Sequence, residues 1–156
     1  MSGRWLVRSI LVLGIVFATC GFASLSDQMR EQLNTLPHHY SNFDVKMAWD
    51  VKTVAENTVI DGVIRNVRYA TMEDIEVWVA LLDANGKTVS RAVDYVVPHR
   101  VDMNDTAAFS IKLPVAAPHG AKLVFTYRYS GSDGGGDNEV GGGATNWMQS
   151  FESKAP

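Results

Sequence analysis

The sequence predicts an all-β fold on three observations. Short stretches between residues 43 and 130 alternate apolar and polar side chains, clusters of Gly, Pro, Asn and Asp punctuate them, and no helical spacing interrupts the block. Connections this short join antiparallel neighbours, because a parallel pair needs a crossover of about a dozen residues or more. The chain has 156 residues, 46% of them hydrophobic and 10% aromatic, enough for one core and too few for two ordinary domains.

At the N-terminus, Arg4 and Arg8 precede an apolar run from Ile10 to Ala23, the charged and apolar regions of a secretory signal. A spanning helix needs about 20 apolar residues, so a permanent anchor is the weaker reading. Small residues at Gly21 and Ala23 predict cleavage after Ala23, making 1–23 a signal peptide. Cys20 supplies an alternative. The tetrapeptide Phe17-Ala18-Thr19-Cys20 loosely resembles the lipobox of bacterial lipoproteins, with Phe17 and Thr19 departing from it, and Cys20 would then be lipidated. Cleavage after Ala23 leaves no cysteine, which excludes disulfides and thiol chemistry.

In the linker 24–42, Leu25, Met29, Leu33 and Leu36 recur at helical spacing and Pro37 ends the run, so a short amphipathic helix and a poorly ordered terminus are the two readings. The period then changes. Phe43, Val45, Met47, Trp49 and Val51 alternate with Asp44, Lys46, Ala48, Asp50 and Lys52, the clearest strand in the chain. Trp49 shares the apolar parity and reads as core.

After Ala55-Glu56-Asn57 comes a strand from Thr58 to Val67, in which Val59, Val63 and Val67 compete with Ile60 and Ile64 for the buried face; Gly62 implies a bulge or a close backbone approach. From Asp74 to Leu82, Ile75, Val77, Val79 and Leu81 share one side while Trp78 stands on the other. Asn85-Gly86 marks a hairpin into Lys87 to Val97. Ala107 to Leu113 follows a polar stretch, and Lys122 to Tyr129 puts Leu123, Phe125, Tyr127 and Tyr129 on one face. These strands assign 43–130 to an immunoglobulin-like antiparallel β-sandwich of six or seven strands.

The last part, 131–156, begins Gly-rich and recovers apolar character at Trp147 and Phe151. It reads either as a seventh strand over 145–151 or as a mobile tail whose Trp147 and Phe151 touch a partner. The length of the Gly-rich segment favours the tail.

Three segments, Gly62-Val63-Ile64-Arg65-Asn66, then Val79-Ala80-Leu81-Leu82-Asp83 with Asn85-Gly86, then Phe109-Ser110-Ile111-Lys112-Leu113, give the block 58–129 a likeness to a known module. It resembles the FxLYD domain, a small β-sandwich of exported or membrane-anchored bacterial proteins. Leu81 and Asp83 match the naming motif, whereas Val79 and Leu82 replace its phenylalanine and tyrosine. The resemblance implies a fold and an envelope setting and assigns no catalytic residue.

Chemistry-bearing patterns are sparse. His38 and His39, with Met29 and Met47 nearby in sequence, form a weak candidate for a soft metal such as copper, but neighbours on an extended segment point to opposite sides. The acidic run Asp133 to Glu139 lacks the ligand spacing of a calcium loop, and no phosphate-loop, nucleophile-elbow or zinc-protease motif occurs. The sequence therefore implies no cofactor and no enzyme. With 14 Lys+Arg against 17 Asp+Glu, a net charge of -3 argues against nucleic acid. Trp78 reads as core in a strand buried on both sides, or as a contact surface.

The expectation is a non-enzymatic exported module of the bacterial cell envelope, periplasmic, extracellular or lipid-anchored. It would bind another envelope or extracellular protein through a sheet edge or through Trp147 and Phe151, and meet the membrane only through its signal or a lipid. The alternative is an accessory ligand-binding domain, for carbohydrate through exposed aromatics such as Trp78 or for a soft metal through His38 and His39.

Overall fold

The computed structural model describes residues 24–132 and 145–156. The expected signal segment with Cys20 and residues 133–144 lie outside the described residues. Among the described residues helix α1 (Ser24–Thr35) precedes nine strands: β1 (His38–Ser41), β2 (Val45–Val54), β3 (Asn57–Asn66), β4 (Thr71–Leu82), β5 (Thr88–Tyr95), β6 (Arg100–Val101), β7 (Thr106–Leu113), β8 (Lys122–Ser132) and β9 (Thr145–Lys154). They form two antiparallel sheets packed face to face, ordered β1-β2-β3-β7 and β5-β4-β8-β9, with β6 also paired to β4. This is the immunoglobulin-like sandwich expected from the alternation.

The inward positions are those of the apolar parity. Val45, Met47, Trp49 and Val51 of β2 meet Ile75, Val77, Val79 and Leu81 of β4 and Leu123, Phe125, Tyr127 and Tyr129 of β8 in one core. In β3 the competition for burial ends with both sides covered. Ile60 and Ile64 enter the core between the sheets, while Val63, with Ala48, is buried on the outer side beneath Leu33, Met29 and Leu36 of α1. The linker thus holds a helix that seals the back of the first sheet.

Gly62 marks a close approach and not a bulge, since its pairing with β2 and β7 runs without a break. It lies opposite Trp49 on one side and Phe109 on the other. At the Asn85-Gly86 turn only Gly86 takes positive φ, at 78°. Asp83 fixes the turn by accepting from the backbone N–H groups of Asn85 and Lys87, both at 2.9 Å, and the register shifts between Leu81 and Leu82.

Three expectations need correction. The linker also contains a strand, β1, whose His38 to Ser41 pair with Trp49 to Lys46. Its signal was hidden because a four-residue strand is too short to show a period. The polar stretch after Pro98 includes β6, paired to Met72 and Glu73. The favoured tail reading gives way to β9, which pairs with β8 over its whole length, from Gly131↔Thr145 to Lys122↔Lys154.

A methyl group at Gly62 would collide with the Phe109 ring and stand 2.6 Å from the carbonyl oxygen of Ala48. Gly62→Ala is therefore expected to destabilise the fold by about 1–3 kcal/mol, seen as a lower urea midpoint at unchanged slope. A midpoint equal to that of the parent chain would remove this constraint from the account.

Candidate interaction surface

The two sheets differ in what covers their outer faces. On the first, α1 lies over β2, β3 and β7. On the second, no element among the described residues covers the outward side chains, which the strand register arranges in rows. One row across β5, β4, β8 and β9 reads Tyr95, Glu76, Arg128, Met148; the next reads Val93, Trp78, Thr126, Ser150. Tyr95 and Met148, at the ends of the first row, are 59% and 67% exposed.

Between them Arg128 pairs with Glu76, which also accepts the indole N–H of Trp78 at 2.9 Å. The hydrogen bond from Arg128 holds the Glu76 carboxyl below the usual carboxylate range; burial opposes this shift, and the Trp78 bond reinforces it. Arg91 sits 5.1 Å from the centre of the Trp78 ring. Trp78 is therefore a partly buried side chain held in place on the outer side of β4. At the bulge between Glu73 and Glu76 the face ends in an open groove of about 620 Å³, bordered by Asp74, His99, Tyr95 and Asn146.

The other sequence candidates fall elsewhere. Phe151 is an inward residue of β9, stacked on Tyr40 at 3.8 Å and on Phe125 at 5.0 Å. Trp147 packs at the core margin, edge-on to Phe43 at 6.0 Å, with the Arg68 guanidinium 4.0 Å above its ring. Both help close the sandwich between β1 and β9. His38 stacks inward on Trp49 at 5.7 Å, while His39, its exposed neighbour, lies by the groove next to α1. The two imidazoles thus face opposite sides of β1, and the described residues hold no group of three or more side chains suited to a metal ion.

A buried polar cluster escaped the sequence reading. Asp44 is fully buried and accepts from the hydroxyls of Tyr127 at 2.7 Å and Tyr129 at 2.9 Å. Asn42 donates to the Tyr127 oxygen and Arg68 to that of Tyr129, both at 3.3 Å. Alternation placed Asp44 among solvent-facing residues. Its partners lie more than eighty positions away in sequence, so no local pattern could have shown them.

The geometry defines an immunoglobulin-like β-sandwich with one outer face capped by α1 and the other left uncovered by the described residues. Among solved structures the chain is similar to the GAE domain of GGA2p from Saccharomyces cerevisiae, at 10% identity and TM-score 0.49, covering 77% of this chain and 98% of that one. It is also similar to a yeast GGA1 GAE domain, at 7% identity and TM-score 0.50, covering 76% and 98%. At such identities the likeness is one of fold. No family model and no curated protein matches the chain.

Burial pushes the Tyr129 hydroxyl up to about 12 and that of Tyr127 further still, with the neighbouring Asp44 adding to both shifts; the bond from Arg68 to Tyr129 acts against them. An unfolded tyrosine ionises near pH 10. The stability these groups contribute is thus fully present below about pH 10 and lost as pH rises towards and beyond about 12. The expected result is a urea midpoint that falls steeply above about pH 10, with a shallower fall in Tyr129→Phe. An equal slope in the variant would show that Tyr129 is not the linked group.

Proposed function

We propose that the protein is a non-enzymatic, exported interaction module of the bacterial cell envelope, which holds an envelope or extracellular protein on the open face of its second sheet. The observation that carries this reading is the unequal covering of the sandwich. The chain seals one outer face with its own helix and leaves on the other an oriented tryptophan, two exposed apolar side chains and a fixed ion pair. A partly apolar patch with a central aromatic and an arginine matches the composition of protein contact surfaces. The export reading rests on Arg4, Arg8 and the apolar run that follows, and the resemblance to FxLYD domains supports the envelope setting.

The reading is tested by placing a photo-crosslinking residue at Tyr95 in cells, exposed on the same outer face as Trp78, with Lys112 on the outer side of β7 as the control site. A discrete adduct from position 95 and none from 112 is the expected outcome; adducts from neither, or equally from both, would argue against a dedicated face. Trp78→Ala should abolish capture of the same partner while the variant still folds; a loss of about 1–3 kcal/mol is expected, since the side chain is mostly buried and its indole N–H bonds to Glu76. If the loss of capture tracked a loss of folding, Trp78 would be structural and the assignment would fail.

A further inference from the structure

We infer that two copies of this chain pair through β9, antiparallel and in register about Gln149, joining their second sheets into one continuous sheet. A sheet edge offers unpaired backbone N–H and C=O groups, and folded proteins ordinarily shorten, break or cover it. The other edges here follow that rule. On one side of the sandwich β5 and β7 close on each other, with Asp94 accepting from the Ser110 backbone N–H at 2.8 Å and a bridge between Val97 and Ala108. On the other side β1 is four residues long. Among the described residues β9 has neither protection: it runs ten residues, contains no proline, and pairs with β8 without a register break.

The occupant follows from reading the strand against itself. A two-fold axis normal to the sheet keeps inward residues opposite inward residues, so each position faces one of the same parity. With Gln149 on the axis, Trp147 faces Phe151 of the second copy, Met148 faces Ser150, and Asn146 faces Glu152; by symmetry each contact occurs twice. Two aromatic cross-strand pairs form on the inner side, and neither Glu152 nor Lys154 meets its own charge. Shifting the axis to Ser150 separates the aromatics and sets Asn146 opposite Lys154; shifting it to Glu152 sets two glutamates face to face.

Pairing of this kind meets the partner-binding face only at its rim, where Met148 lies beside Ser150 of the second copy, and leaves Trp78 open in both copies, so failure of either reading leaves the other standing. Sedimentation equilibrium on the full exported chain, followed over protein concentration, reads it directly. The parent should show a reversible dimer. Asn146→Glu, which places like charges opposite each other twice, should raise the dimer Kd about tenfold, and Asn146→Lys, which meets Glu152 twice, should lower it. Both substitutions are at an exposed position, and circular dichroism would confirm that each variant folds. A parent that remains monomeric up to about 1 mM, variants that leave Kd unchanged, or the two charges acting with reversed sign would each overturn the assignment.

Discussion

Trp49 occupies an inward position of β2 whose partner on β3 carries no side chain, because the residue opposite is Gly62. From the other flank Phe109 lays its ring over the same glycine. The gap left by one missing Cβ therefore admits the Phe109 ring at the centre of the first sheet. Beside it Trp49 reaches across the core to Phe125 at 4.7 Å and Phe151 at 5.5 Å, which joins the two sheets here. The contact extends outward through His38, stacked on Trp49, and Tyr40, stacked on Phe151. Both belong to β1, and this aromatic seam is what fastens a four-residue strand to the side of the sandwich.

Beside the seam lies the polar counterpart. Asp44, just before β2, is tied to two tyrosines of β8, and Tyr127 and Tyr129 stack with their rings nearly parallel. A buried carboxyl with its acceptors satisfied specifies one arrangement of the two sheets, whereas apolar packing alone tolerates small slips. Asn66 does similar work at the far end of β3, donating to the carbonyl oxygens of Ala70 and Val101 and accepting from the Arg68 backbone N–H. These polar anchors hold the β3–β4 connection and β6 in place, and so fix the end of β4 from which Glu76 and Trp78 project.

Much of this was legible in sequence where alternation was strict. The strands containing Trp49, Trp78, Phe109 and Phe125 could be placed from period and turn residues alone, with the inward parity correct except at Phe43, which precedes β2 and is exposed. What stayed hidden depended on partners remote in the chain. β1 is too short to display a period, and its place comes from Trp49 and Phe151. β9 looked like a tail because a long Gly-rich segment precedes it, and only the pairing with β8 makes Trp147 and Phe151 inward residues. Val63 looked ambiguous because it is buried on the side that alternation alone assigns to solvent. Trp78 was recognisable as the odd aromatic of its strand, yet only the register shows Tyr95, Arg128 and Met148 gathered beside it.

The parity of β9 explains how one strand can serve the core and the surface together. Its inward residues Trp147 and Phe151 close the seam against Phe43 and Tyr40, while its outward residues Met148 and Ser150 extend the rows that begin at Tyr95 and Val93. Its outer backbone edge belongs to neither set. Hydrogen bonds formed along that edge would withdraw nothing from the core and leave the centre of the open face uncovered, because side chains of a pleated strand stand perpendicular to its pairing direction. A partner on the face and a second copy at the edge thus make separate demands on the strand. What they share is the seam: if Phe151 lost its stack on Tyr40 and Phe125, the strand carrying both surfaces would lose its hold on the sandwich.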